Sequence, residues 1–158
     1  MSVVDPAPDE RLVELGCGPG VAAGLVCDRL TTGHLTAVDR SATAVARAAA
    51  RNADHVARGR LTLVESTVDG LALPAASVTK VFAVNVNVFW TRVPDRELAV
   101  LREVLAPGGS LYVLYGRGPT GEDRVTPVIA AALRDGGFTE IETLSAAAGM
   151  GVRARRGS

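Results

Sequence analysis

The chain has 158 residues, 47% hydrophobic and 22% charged, the balance of an ordinary globular domain large enough to bury a core. Its 17 basic residues offset 17 acidic ones, so no net field draws it to nucleic acid or to an anionic membrane. No apolar run approaches the roughly 18 residues of a membrane span and no signal-peptide pattern opens the chain; two cysteines, Cys17 and Cys27, are too few for a disulfide framework, so reduced thiols and a cytoplasmic location are expected.

Residues 11–16, RLVELG, form a short apolar run and read as a buried first strand. The stretch VELGCGPG (13–20) then brings three glycines close together, Gly16, Gly18 and Gly20. Glycine is the costliest residue to order, so such a turn marks backbone that bends sharply or lets something approach closely. VAAGLVCDRL (21–30) follows as a helix opening at the turn, and HLTAVD (34–39) as the second strand. Ser41 is the N-cap of a helix over about 42–58, which Gly59 stops. RLTLVES (60–66) is the third strand, and VTKVFAVNV (78–86) the fourth and most apolar.

Pro94 fits the first turn of the next helix, with Asp95 and Glu97 near its positive end. Leu98, Leu101 and Leu105 give that helix an apolar stripe, and Pro107-Gly108-Gly109 ends it. SLYVLY (110–115) is the fifth strand. After a polar Gly-rich loop (116–122), Thr126-Pro127 starts a helix that stops at Gly136-Gly137. Two strands finish the chain, FTEIETL (138–144) and about 149–155, joined by the loop SAAAGMG.

Strands that alternate with helices and read as continuous apolar runs imply an α/β fold, a parallel sheet covered on both faces. The last two strands have no helix between them and so pair antiparallel at one edge. One domain accounts for residues 1–158. In such a sheet a ligand binds beyond the carboxyl ends of the strands, where strand order reverses, and the glycine turn lies at the end of the first strand. The helix N-terminus behind it offers free N–H groups to a phosphate or a carboxylate. Asp39, at the end of the second strand, can accept two hydrogen bonds from a ribose diol, which points to an adenosine ligand. A nicotinamide cofactor would share both features. Spacing separates them: the glycines stand at 16, 18 and 20 with Val21 next, so the third is out of place for G-x-G-x-x-G.

VELGCGPG, LTAVDRSATAVARAAARN, VDGLALPAASVTKVFAVNVNVFW and LREVLAPGGSLYVLY, four motifs in order over about residues 11–115, resemble those of the class I S-adenosylmethionine-dependent methyltransferases. The likeness is greatest to the small single-domain kind that modify small molecules. It implies a Rossmann-like doubly wound sheet of seven strands, mostly parallel with an antiparallel edge hairpin, and S-adenosyl-L-methionine as cofactor. It also implies site residues. Glu14 reaches the ligand's amino group; Gly16, Cys17, Gly18 and Gly20 line the methionine portion; Asp39 holds the ribose, with Arg40 and Ser41 beside the adenine. Asp69, with Val68 before it, accepts from the adenine amino group or is instead a solvated turn aspartate, and Asn85 faces the sulfonium, unless it and Asn87 tie down the following loop. Asn87, Trp90 and Tyr115 are candidate substrate contacts, though both aromatic rings also suit packing.

Asn85 and Asn87 interrupt an apolar stretch, which costs stability unless each is hydrogen-bonded. The methyl donor is already activated, so alignment and exclusion of water do most of the work. No catalytic residue and no metal cluster is assigned. His34 begins the second strand away from the ligand, His55 is read as a solvated helix residue near Arg58, and Asp95 answers to the helix dipole. Thr79 stands where the family usually has an aspartate. Ten residues precede the first strand, where relatives often carry helices that roof the cofactor. That departure leaves room for a homodimer that supplies a lid, for a large substrate that covers itself, or for a weakly active form. The expected partner is a small-molecule substrate, and the alternative function is a cofactor-binding subunit without turnover.

Overall fold

The computed structural model of the protein describes residues 1–116, 122–146 and 149–158. Seven strands make one sheet: β1 (Arg11–Leu15), β2 (His34–Asp39), β3 (Leu61–Glu65), β4 (Val78–Val84), β5 (Leu105–Gly116), β6 (Phe138–Ala146) and β7 (Gly149–Arg156). Their spatial order is β3-β2-β1-β4-β5-β7-β6. Neighbours from β3 to β5 pair in parallel, whereas β7 runs antiparallel to both β5 and β6. The doubly wound α/β sheet with its antiparallel edge is therefore present, with β7 inserted between β5 and the outer strand β6. Chain order reverses between β1 and β4, and a sheet of this kind opens a crevice at such a reversal.

Alternation along each strand sends side chains to two faces. On one face Val13, Leu15, Val81, Ala83, Leu111 and Val113 pack under α5 (Asp95–Val104) and α6 (Glu122–Asp135). On the other, Leu12, Leu35, Phe82 and Tyr112 meet Ala23 and Val26 of α1 (Val21–Cys27) and Ala48 of α2 (Ala42–Arg51). Val4 is wholly buried in this second core. The Nζ of Lys80 ties down the segment around it, donating to Asp5 O at 2.8 Å and Glu10 Oε2 at 2.9 Å.

Several boundaries differ from expectation for local reasons. The helix expected over 42–58 is two, α2 and α3 (Ala53–Ala57), parted at Asn52. Asn52 is buried, and its Nδ2 donates to Ala48 O at 3.0 Å and to Gly20 O at 2.9 Å. A side chain that competes for helical carbonyls in this way favours a break. The expected cap on α2 is in place, with Ser41 Oγ accepting from Ala44 N. Helix α1 closes at Cys27 instead of residue 30, because Arg29 and Leu30 donate to carbonyls three residues back, the tighter pattern of a fraying end. Strand β4 stops at Val84, since Asn85 takes φ 58° and turns the chain.

Helix α5 ends at Val104, before the Pro-Gly-Gly. Leu105 already pairs with Val78, and the next partners are Lys80 and Ser110, so residues 106–109 bulge out of the ladder. Helix α6 begins at Glu122, which leaves Pro127 inside it and not at its start. A single turn, α4 (Val88–Thr91), has no counterpart among the expected elements. Within the Gly-rich loop at 116–122, residues 117–121 lie outside those described. Strand β6 runs two residues past the expected end at 144 while β7 begins at Gly149 as expected, and residues 147 and 148 of their connection are likewise outside.

Candidate cofactor crevice

At the carboxyl ends of β1 to β4 lies a crevice of about 400 Å³, within the usual range for small-molecule sites. Gly16 contributes from the end of β1 and Val38, Asp39 and Arg40 from the end of β2. Residues 66–69 follow β3, residues 85–88 follow β4, and Arg92 and Glu97 close the outer side. Among the expected cofactor residues, Gly16, Asp39, Arg40, Val68, Asp69 and Asn85 thus meet in one cavity, as does Asn87 from the expected substrate set.

Asp39 locks the crevice floor. Its Oδ2 accepts from Gly18 N at 3.0 Å and its Oδ1 from Ser41 N at 2.9 Å, so one carboxylate spans both the β1–α1 turn and the β2–α2 turn. Cys17 N donates to Val38 O at 3.0 Å and holds the two turns in register. Each oxygen of Asp39 keeps lone-pair capacity for a further donor such as a hydroxyl. Ser41 serves as this backbone donor and as the α2 cap, and does not line the cavity.

The three glycines have separate reasons. Gly18 has φ 53°, and a Cβ built there would meet nothing within 4 Å, so its open side is free for a ligand. At Gly16 a Cβ would lie 2.7 Å from the Val86 side chain. Gly20 has φ 86°, and a Cβ would lie 2.8 Å from Ala48 Cβ and 2.7 Å from Asn52 Nδ2. Gly20 therefore faces α2 and serves the packing of α1 on α2; like Glu14, Cys17 and Gly18 it adjoins the crevice without being among the residues that line it.

Glu14 stands in register between Ala37 and Phe82, both fully buried, and is itself only 2% exposed. Burial pushes its carboxyl up to about 8, and the nearby charge of Asp39 adds to the shift. Its Oε2 is buried and without a hydrogen-bond partner among the described residues. Orphaned buried acceptors are uncommon in native proteins and ask for a reason. A cationic donor arriving at the glycine turn would supply one.

Asn85 and Asn87 are exposed beyond the end of β4, so the expected cost of burying them does not arise. Asn85 Oδ1 accepts from Gly116 N at 2.9 Å and ties the end of β4 to the end of β5. Trp90 and Tyr115 lie with ring centroids 5.9 Å apart. Tyr115 is 7% exposed, and its hydroxyl meets that of Thr126 on α6. Both rings pack against the α5–α6 core, and neither lines the crevice. Cys17 is buried and its thiol is pushed up to about 12, chiefly by desolvation, which removes it as a nucleophile. His34 sits at the start of β2, with Nδ1 2.9 Å from Gly59 O. His55 is not solvated as expected: its side chain is 17% exposed and pairs through Nε2 with Asp28 Oδ1 at 2.9 Å.

Ser66, Thr67, Val86, Val88, Arg92 and Glu97 line the crevice without having been singled out in the sequence. Arg92 and Glu97 form an ion pair in which the carboxylate is nearly buried and the guanidinium is more than half exposed. Glu97 carried a signal, as an acidic residue in the first turn of α5, but only for the helix dipole. The others are loop residues, or in Val88 the first residue of α4, whose place depends on how β3 and β4 leave the sheet.

A family model described as "Methyltransferase domain" matches residues 12–109. Over 107 residues the chain is 32% identical to a trans-aconitate 2-methyltransferase of Streptomyces avermitilis and 28% identical to one of Delftia acidovorans. Each alignment takes in 68% of this chain and 38% of the relative, so the chain spans about two fifths of the length of these curated relatives. A SAM-dependent methyltransferase structure from Aquifex aeolicus superposes with a TM-score of 0.80 at 17% identity, covering 98% of this chain and 86% of that one. The [4+2]-cyclase SpnF does so at 0.77 and 19% identity, over 96% and 76%. At such identities the superpositions speak for the fold, and a cyclase among them shows that this fold hosts more than one reaction. The family match runs from β1 through α5 and spans the glycine turn, Asp39 and the loops after β3 and β4, which places the chain in the class I S-adenosylmethionine-dependent methyltransferase family.

Proposed function

We propose that the chain binds S-adenosylmethionine across this crevice and transfers its methyl group to a small molecule. The observation that carries the reading is the pair of carboxylates beside the glycine turn, Glu14 within β1 just before it and Asp39 at the end of β2 bonded to Gly18 N. Glu14 is buried with an unpartnered oxygen, and Asp39 is fixed by two backbone N–H groups with lone pairs to spare. An amino-acid ammonium and a ribose diol are complementary to that pair, and the cofactor carries both on one skeleton. When bound, the cofactor would supply an already activated methyl group on a positive sulfur, open to in-line attack by the acceptor.

The chain's own part is to hold and align. Gly18 leaves its open side to the amino-acid portion, and Val68, Val86 and Val88 offer apolar surface to a flat ring. The two trans-aconitate enzymes support a small-molecule acceptor in general. A cytoplasmic setting belongs to the same reading, supported by two buried free cysteines. Among the described residues no helix is long and apolar enough to cross a membrane.

Calorimetric titration with S-adenosylhomocysteine, set against NAD, tests the reading. Binding of the former alone is the expected result. Asp39→Ala should weaken it by about 10- to 100-fold, the scale of hydrogen bonds to a charged group. Binding of NAD alone, or an unchanged affinity in Asp39→Ala, would overturn the proposal.

A further inference from the structure

Next to the crevice lies a second cavity of about 240 Å³, and Asn85 forms part of both walls. It opens at the ends of β4 and β5 and is closed by the paired ends of β6 and β7 and by Val3. Val84, Leu114, Leu144 and Met150 give it apolar side chains, and no described residue lining it is charged. Nothing in the proposed cofactor binding uses this space. We propose that it receives the body of the methyl acceptor, which is therefore a small, uncharged, largely apolar molecule of about one ring, presenting its nucleophilic atom at Asn85. This rests on the cofactor reading above and deepens it.

Three observations support the assignment. The acceptor atom must come into contact with the methyl carbon, so its seat has to share a wall with the crevice, and Asn85 is that wall. Asn85 Oδ1 is taken by Gly116 N, and among the described residues no partner holds its Nδ2, which leaves one polar donor at the junction. Second, a cavity of about 150 Å³ lined by apolar side chains is enough for benzene, so this one has room for a substituted ring. Third, a carboxylate seated among Val84, Leu114, Leu144 and Met150 would give up hydration, and no described residue lining the cavity is a cation that could compensate it, a cost that favours an uncharged occupant. The walls from residues 114–116, 144–146, 149 and 150 also lie beyond the 12–109 covered by the family match.

Methionine labelling reads the cavity directly. The chain has two methionines, Met1 and Met150, so methyl-¹³C labelling gives two signals and Met150→Leu identifies the second. With S-adenosylhomocysteine present, 4-methylphenol should shift the Met150 signal saturably, and trans-aconitate should not. At Gly116 an added Cβ would meet only Asn85 Oδ1, at 4.0 Å, so Gly116→Leu can fill the cavity without a clash at the backbone. It should abolish the shift while keeping S-adenosylhomocysteine affinity within about twofold; Leu114→Phe, a second filler, should do the same. The proposal fails if Met150 shows no saturable shift, if trans-aconitate moves it equally, or if the shift survives in both fillers. It fails too if the signal moves with protein concentration, which would seat a second copy there. Absence of S-adenosylhomocysteine binding in the unaltered protein would instead strike the cofactor reading, and calorimetry reports that separately from the Met150 signal.

Discussion

Glu14 should make this protein less stable as pH rises through neutrality. Its carboxyl is pushed from 4.5 to about 8 in the folded chain, because ionising it between Ala37 and Phe82 strips it of water. Below pH 4.5 it is protonated whether the chain is folded or not, and there it costs nothing. Between 4.5 and 8 unfolding releases a proton, so stability falls with pH, and above 8 the loss levels off. At 1.36 kcal/mol per pH unit the full loss is on the order of 5 kcal/mol, an upper value since water can reach a strained site. Chemical denaturation from pH 5 to 9 on the parent and on Glu14→Gln measures it: the difference in slope between them belongs to residue 14. Cofactor binding should work against this shift, since an ammonium at Oε2 favours the ionised carboxyl. Titration of S-adenosylhomocysteine at pH 7 in buffers of unlike ionisation enthalpy should then report release of close to one proton, absent in Glu14→Gln. Equal pH slopes in the two proteins would refute the burial argument, and binding without proton release would refute the ammonium contact.

The glycines of the turn should separate function from packing. Gly18→Ala carries the strain of φ 53° but meets no neighbour, so it should cost about 1–2 kcal/mol of stability and weaken S-adenosylhomocysteine at least tenfold, by occupying ligand space. Gly20→Ala should cost more, about 2–4 kcal/mol, since its Cβ adds a clash with Ala48 to the same kind of strain; equal losses at the two positions in denaturant unfolding would contradict their separate roles. Cys17 and Cys27, both held near 12 by burial, should resist iodoacetamide at pH 8 until the chain unfolds, and rapid alkylation of the folded protein would show the turn to be open.

What could be read in the sequence was whatever local chemistry alone dictates. The continuous apolar runs of β1 and β4 gave a sheet buried on both faces, and Ser41 gave its cap. The glycine turn and Asp39 located the crevice because both belong to the chain's exit from a strand. Features set by a distant partner were not legible. Asn52 breaks a helix because its amide reaches Gly20, 32 residues away. Gly20 is glycine because of α2, although it sits in the ligand motif. The outer wall of Arg92 and Glu97, and the pairing of His55 with Asp28, depend equally on how elements meet.

The two faces of the sheet also give the site a direction. Along β1, Glu14 shares the side of Leu12, the face that packs on α1 and α2. Val84, Leu114 and Leu144 of the second cavity pack against that same core. Val68, Val86 and Val88 of the crevice belong to the opposite core, under α5 and α6. A cofactor with its amino group toward Glu14 and its flat base among those valines has to cross the top edge of the sheet between the faces. It crosses where Gly16 ends β1 and Asn85 leaves β4, the two central strands and hence the point of chain reversal. In the proposed binding mode its middle, the sulfur, would lie beside Asn85, the residue common to both cavities. The reversal of strand order thus does more than open a crevice: it brings two cavities, one largely polar and one largely apolar, to either side of Asn85, and these are the seats we propose for donor and acceptor.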